Sequence, residues 1–446
     1  MDRAFNHPWT RRHDDPRSNL FNSVAEIDYP TTLADLIGIC QNRPVGQGLK
    51  AAGSHWALSP AAFSDHTFIE THDPADLHVA MSRTLHDVIP GCLHPNLEQR
   101  MTNKDFVQVN GTLCHVESGK RIYQLYAELD ETDPLTFPEM LGGYMKEKYG
   151  VDHFAGPWGF VTLGGAGGQT VVGAFSTGTH GGDFDRGPLD ESVMAIHLVA
   201  DGGRHYWIER VDERFAPQLV DDDKLTAQYD TAEHGGPGNF TIIREPSNET
   251  FNAVLVGVGR FGIIYSAMLR AVPQYSLWER RRLHVWQNVR SQIKNRDAPL
   301  DLYNDTAVEA PDTPQRFLQI VVCLTPHGGF TRNLVGVTKR WQIDVAQAPA
   351  GRGQRVGDRT PPLGLFSDNP LYARAGRSFP YTAKEDKPYL SEEPSFLSTR
   401  LLHSRSIKSF TARHFSAMPQ CGSPSPARHC WECRCIRPHA PSKWQA

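Results

Sequence analysis

The hydrophobic pattern of this chain changes period several times, and each change marks an element. Asp28 to Ile37 reads as a capped helix start: Pro30 stops the preceding segment, and Thr31 or Thr32 offers a hydroxyl to the free N–H groups of the first turn. Leu49-Lys50-Ala51-Ala52 is a short strand that runs into Gly53-Ser54-His55. Phe106 to Val109 and Leu113 to Val116 flank Asn110-Gly111, which predicts a hairpin. Ile122, Leu125, Tyr126 and Leu129 share one helical face. Leu189 to Val199 reads as a strand, and Ala195–Val199, the turn at Asp201-Gly202-Gly203 and Tyr206-Trp207-Ile208 form a second hairpin. Ala253 to Val256, the turn 257–262 and Ile263 to Val272 continue the β pattern. Segments 281–286 and 316–324 add strands in a second domain that starts near 275. The expected class is α+β, with strands outnumbering helices.

Composition narrows the function classes. The 446 residues are 39% hydrophobic and 22% charged, with a formal net charge of −4. That balance fits a soluble globular protein with room for two or three cores, and gives no general attraction for nucleic acid or membrane surfaces. No apolar run approaches the roughly 20 residues needed to span a bilayer. Met1 to Asp15 is polar and lacks the apolar segment of a signal peptide, so a cytoplasmic location is expected. Cys40, Cys92, Cys114 and Cys323 are scattered as small core residues would be, with no disulfide framework. Residues 401–446 carry seven Lys or Arg against the single acid Glu432, a net +6 that leaves −10 on the rest. This tail has no apolar period and reads as disordered or foreign to the fold. Cys430, Cys433 and Cys435 there, with Cys421, supply only half of a zinc-site spacing, so no metal site is expected.

The densest chemical signal is Gly164 to Gly182, a glycine-rich run with Gln169, Thr170, Ser176, Thr177 and Thr179 interspersed. Glycine permits positive φ and close approach to bare backbone, and successive turns of that kind present N–H groups to an anion such as a pyrophosphate. Because the run enters a strand rather than a polar linker, a backbone cradle for a cofactor is expected. The acidic cluster that comes next, Asp183, Asp185, Asp190 and Glu191, reads as surface carboxylates.

Three segments together carry a resemblance. Leu49 to Ser59, with Gly53-Ser54-His55-Trp56, resembles the glycine-rich, histidine-containing loop of the vanillyl-alcohol-oxidase-type flavoproteins, which bind FAD on the PCMH-type fold. Gly168 to Gly181 is similar to that family's second FAD segment, closest to the aldonolactone and alditol oxidase branch through its Thr177-Gly178-Thr179-His180-Gly181 element. Val258 to Tyr265 is similar to the segment that closes the FAD domain. The order matches the family's, over roughly residues 25–275.

The resemblance implies FAD bound between two α+β subdomains (about 25–112 and 113–275), after an N-terminal extension (1–24). A partial cap for substrate comes next (276–345), and an irregular tail ends the chain (346–446). The cofactor-binding residues it implies are Ala52, Gly53, Ser54, His55 and Trp56 in the first segment. In the second they are Gly168, Gln169, Thr170, Gly173, Ser176, Thr177, Gly178, Thr179 and His180, and in the third Gly262 and Ile263. His55 is the position at which the family attaches the flavin 8α-methyl, although here the loop is shorter before the histidine and Trp56 follows it, so covalent and dissociable FAD both stay open. A second tether through cysteine is not expected, since Phe154 to Phe160 contains none. Thr177 and Thr179 either bond the cofactor or satisfy their own turn, and His180 either closes that turn or transfers a proton.

The implied activity is FAD-dependent oxidation of a CH–OH group in a sugar lactone, alditol or related small alcohol, with O2 as a possible acceptor and no catalytic base singled out. Two alternatives remain. One is a truncated, non-catalytic FAD-binding remnant, because the ordered pattern fades after about 345. The other is an NAD-dependent dehydrogenase resting on Gly257-Val258-Gly259-Arg260-Phe261-Gly262, which matches a dinucleotide fingerprint in letters. The apolar, β-branched run after Gly262 predicts a strand where a true fingerprint opens a helix, and favours a tight turn beside the adenine end of FAD.

Overall fold

Thr32 starts the first helix, Leu33–Asn42: its hydroxyl accepts from the Asp35 N–H at 3.1 Å, and the Asp35 carboxylate accepts from the Thr32 N–H at 3.0 Å. This reciprocal capping fixes the entry angle, and Leu33, Leu36, Ile37 and Cys40 form the buried stripe. A computed structural model of the chain describes residues 2–4, 21–57, 59–72, 81–130, 139–154, 156–162, 167–294, 302, 313–322, 334–343, 353–354 and 371–374. The basic tail 401–446 with its cysteines, Gly164 to Ala166 and Cys323 lie outside the described residues.

The helix crosses over between strands Glu26–Asp28 and Leu49–Ala52, and both pair in parallel with Thr67–Glu70, which lies between them. Parallel neighbours need such a crossover, so this small sheet follows directly from the helix that the capping residues start. A larger sheet is built in the order Phe240–Ile243, His205–Glu209, Val193–Val199, Ile263–Pro273, Thr112–Glu117 and Thr84–Leu85, with Trp158–Gly159 on the far end of Ile263–Pro273. Its pairs are antiparallel except Phe240–Ile243 beside His205–Glu209. Val193–Val199 is buried along its whole length and Ile263–Pro273 over its first nine residues, so both are covered on both faces. One continuous core joins this sheet to Leu33–Asn42 and to the helix Ile122–Asp130.

Ile263–Pro273 passes almost directly into Ser276–Val285, the first strand of another sheet, ordered Gln315–Val322, Leu334–Ile343, Ser276–Val285, Leu371–Arg374 and Gly353–Gln354. The last two strands lie beyond residue 345, where the sequence pattern predicts only an irregular tail. The fold is thus α+β, with a small parallel sheet, a large mixed sheet, a third sheet and the antiparallel pair Asp2–Ala4 with Phe21–Ser23. Among the described residues no helix is long and apolar enough to cross a membrane.

Most predicted elements form where the pattern places them, and two change type. Phe106 to Val109 is not a strand: Asn103 accepts from the N–H groups of Asp105 and Phe106 and starts the helix Lys104–Asn110. Gly111, at φ +87°, ends that helix with its N–H on the Val107 carbonyl, and an added Cβ would lie 2.1 Å from the Ala271 oxygen. Asn-Gly serves a tight hairpin and a helix C-terminus equally well, because both require positive φ. Ala253 to Val256 likewise falls at the end of the helix Glu249–Leu255, where Phe251, Val254 and Leu255 are buried at helical spacing. The strand predicted from Leu189 begins at Val193, after a single 3-10 turn over Leu189–Ser192.

Candidate functional site

Strand Leu49–Ala52 ends in a loop that has no room for a side chain at its first residue, Gly53. A Cβ on Gly53 would sit 2.1 Å from Thr170 Oγ1, and one on Gly168 would sit 2.6 Å from the Trp56 ring. The two loops therefore interlock through glycines, and the Ser54 hydroxyl joins them by donating to the Gly168 carbonyl at 2.6 Å. Gly167 to Val171 is held from its other side by backbone bonds to Lys120, Ile122 and Tyr123. Thr170 then caps the helix Val171–Ser176, its hydroxyl accepting from the Gly173 N–H at 3.2 Å. The expected run of turns after Thr170 is in fact this short helix, because a threonine N-cap outweighs the turn preference of the single Gly173 that follows.

The third segment leaves the helix Glu249–Leu255 and enters the strand Ile263–Pro273. Val258 at φ +52° and Gly259 at φ +67° make its turn, and Gly262 approaches the neighbouring strand so closely that a Cβ would meet the Val199 oxygen at 2.4 Å. Helix-to-strand is the reverse of the strand-to-helix order on which a dinucleotide fingerprint depends. Lys50 Nζ donates to the Gly259 carbonyl at 3.1 Å, and burial together with the nearby Arg260 pushes its ammonium below the usual lysine range.

The three segments surround one cleft, with a cavity of about 160 Å3, between the small and large sheets. Of the residues singled out by sequence, Ala52, Gly53, Ser54, His55 and Trp56 line it from the first segment. Gln169, Thr170, Gly173, Ser176 and Thr177 line it from the second, and Gly262 and Ile263 from the third. Gly168, Gly178, Thr179 and His180 do not line it. Gly168 sits behind Trp56, Gly178 takes φ +65°, and the Thr179 N–H bonds the Ala174 carbonyl to end the helix. His180 is exposed, with Nδ1 2.8 Å from the Gly181 carbonyl. Thr177 turns its hydroxyl back to the Gly173 carbonyl at 3.0 Å.

The cleft wall is mainly apolar, with Ala51, Ala61, Val172, Val258 and Ile264 among its lining, and His55 is its one titratable side chain among the described residues. His55 takes φ +59°, and its ring is fully buried, with Nε2 3.4 Å from Glu70 Oε1 and an edge-to-face contact on Phe68. Its imidazole therefore lies beneath the loop rather than on the open surface of the cleft. Two other lining residues carry buried oxygens that no described residue satisfies, Ser118 Oγ and Gln169 Oε1. A buried polar atom without a partner is costly. A ligand in the cleft can supply the missing bond if these side chains turn toward it, since both oxygens are as closed to solvent as the His55 ring.

Ser118 and Thr71 are lining residues that the motifs did not indicate. They come together because Gly119 lets the end of strand Thr112–Glu117 press on the segment after Thr67–Glu70: a Cβ on Gly119 would meet the Thr71 oxygen at 2.0 Å. The acidic cluster also needs correction. Asp183 is not a surface carboxylate: its side chain is 11% exposed and bonded to Arg316. Sequence comparison with models of known protein families gives no match, and comparison with characterised proteins gives none either.

Proposed function

We propose that the cleft holds FAD in the manner of the PCMH-type flavoproteins and that the chain is an oxidoreductase acting on the CH–OH group of a sugar lactone, alditol or related small alcohol. The observation that carries this reading is convergence. Three segments far apart in the chain, singled out by a resemblance to FAD-binding loops, meet around one apolar cleft between two sheets. The enclosed part of the cleft, about 160 Å3, is smaller than the roughly 300–1,000 Å3 usual for small-molecule sites, so a bound FAD extends beyond it along the three segments. Its chemistry fits a largely apolar ring system with polar edges, since Ser118 Oγ and Gln169 Oε1 offer unused hydrogen-bonding capacity against alanine, valine and isoleucine walls.

When bound, FAD supplies a hydride-accepting centre for the alcohol carbon, with O2 as one possible acceptor. The chain's own part is to bind and orient. Gly53 and Gly168 let the first two segments interlock, Ser118 and Gln169 fix the cofactor's edge, and Lys50 holds the third turn in place. The burial of the His55 ring against Glu70 favours dissociable FAD over a tether at that residue.

A second reading, a non-catalytic FAD-binding protein, draws support from the same burial, because the described lining of the cleft then presents no open titratable group to take the hydroxyl proton. The two separate by experiment. Added FAD should lose fluorescence on binding under either reading. Only the enzyme bleaches its long-wavelength flavin band when a polyol or lactone is added without oxygen. Absence of FAD binding refutes both.

A further inference from the structure

The geometry points to Asp183 and Arg316 as positioning residues that clasp the third sheet to the cleft-lining segment and so set where substrate meets the cofactor. The substrate half of this inference rests on the function proposed above; the clasp itself does not.

The segment that lines the cleft through Gly173, Ser176 and Thr177 runs on to Gly182-Asp183-Phe184, which joins the edge of the third sheet. The Phe184 N–H donates to the Arg316 carbonyl at 2.8 Å, and the Leu318 N–H donates to the Gly182 carbonyl at 3.0 Å. Gly182 is required for this approach, since a Cβ there would lie 2.6 Å from the Leu318 oxygen. The side chain of Arg316 then gathers the surrounding segments. Its Nε bonds Asp183 Oδ1 at 2.5 Å, one terminal nitrogen donates to the Val161 carbonyl at 2.6 Å, and the other donates to Gln342 Oε1 at 2.8 Å. Thr162 donates to the second Asp183 oxygen at 3.1 Å. Tyr275, at the junction between the large and third sheets, lies under the guanidinium at 4.9 Å and donates its own hydroxyl to the Val161 carbonyl at 2.6 Å.

Both charged side chains are about nine-tenths buried. A buried ion pair persists where further hydrogen bonds satisfy both partners, and such pairs serve geometric specificity more than net stability. Here the pair ties residues 161–162, 183, 275, 316 and 342 together at one point. It adds to the attachment that the chain itself makes at 273–276 between the third sheet and the rest of the fold. Beside that link, the backbone bonds of Gly182 and Phe184 to Leu318 and Arg316 and the Tyr275 hydroxyl on Val161 hold the same junction. With the clasp closed, its edge strand is in register with the segment that lines the cleft.

The test uses Asp183→Asn, and Arg316→Lys as the variant that keeps the charge but loses the planar fork. Hydrogen exchange is followed at the Phe184 and Leu318 amides, with the Val193–Val199 amides as an internal reference. The clasp predicts at least about tenfold faster exchange at the two junction amides with the reference unchanged. Unchanged junction amides, or equal acceleration everywhere, overturn it. In FAD-loaded protein the positioning role predicts that substrate KM rises about tenfold while FAD affinity stays at the wild-type value. A KM that does not move, or one that moves only with FAD affinity, overturns that role. Failure of the wild-type chain to bind FAD refutes the functional reading and the substrate half with it, and the exchange result still decides the clasp.

Discussion

Acidification should destabilise the large sheet through two histidines buried in its centre. His197 and His205 are fully buried on adjacent strands, with His197 Nε2 2.9 Å from His205 Nδ1, and Tyr229, Phe240, Trp207 and Tyr265 surround the His197 ring. Burial first, and then repulsion from His234, lowers His205 to about 4. Burial, followed by repulsion from His205 and His115, holds His197 well below the usual histidine range, against a smaller opposing pull from Asp87. Both are therefore neutral in the folded protein at pH values where the unfolded chain, titrating near 6.5, has begun to take up protons.

Because the unfolded state binds more protons in that window, stability falls as pH falls. Each such histidine costs about 1.4 kcal/mol per pH unit below about 6.5, and for His205 the loss accumulates to about 3 kcal/mol by pH 4. The neighbouring Asp87 does not mask the effect. Burial would raise its pKa, but hydrogen bonding and attraction from His115 and the bond from Tyr229 hold its carboxyl far below the usual range. Its stabilisation is present above its unfolded pKa, near 3.9, and is lost only below that. Hydrogen exchange of the Val193–Val199 amides, corrected for intrinsic rates and measured from about pH 7 to about pH 4.5, reads the opening free energy of this sheet. The account predicts a steep fall across that range and a shallower one in His205→Gln. Equal stability across the range, or an unaltered slope in the variant, would refute the reasoning.

Two further outcomes concern the cleft. Ser118→Ala removes a buried hydroxyl that no described residue satisfies, so the cofactor-free protein should be no less stable while FAD affinity drops about fivefold or more, as loss of one hydrogen bond predicts. A drop in melting temperature with unchanged FAD affinity would assign Ser118 a purely structural role. Gly262→Ala places a Cβ 2.4 Å from the Val199 oxygen at φ +149°, so calorimetry should show a loss of at least about 1–3 kcal/mol, and an unchanged melting temperature would contradict the geometry.

Sequence reasoning reached the site more readily than some of the elements around it. The three loops stood out through their glycine content and their order along the chain, although the contacts those glycines permit are long-range: Gly53 clears Thr170, Gly168 clears Trp56 and Gly262 clears Val199. Pro30 and the Thr31-Thr32 pair announced the first helix, because a stop and an N-cap hydroxyl lie within a few residues of each other, and Asp35 completes the cap in the structure. Asn110-Gly111 misled because one residue pair serves two structures, and Ala253 to Val256 because four residues are too few to separate a helical period from a strand. Ser118 and Thr71 stayed hidden for a different reason. Their place in the cleft depends on the close packing of Gly119 against a segment far earlier in the chain, and nothing local reports such a contact. Asp183 shows the same limit: its partner Arg316 lies 133 residues away, so the carboxylate resembled its exposed neighbours Asp185 and Glu191.

The most direct test of the central claim is the visible absorption spectrum of the purified protein, taken after incubation with FAD and removal of the excess, and repeated on pellet and supernatant after acid precipitation. The account predicts flavin bands that accompany the native protein and pass to the supernatant on precipitation, because the His55 ring is buried against Glu70. Bands that stay in the pellet would contradict the dissociable form and direct attention to His55→Ala. A protein that remains colourless and takes up no added FAD would contradict the assignment of the cleft itself.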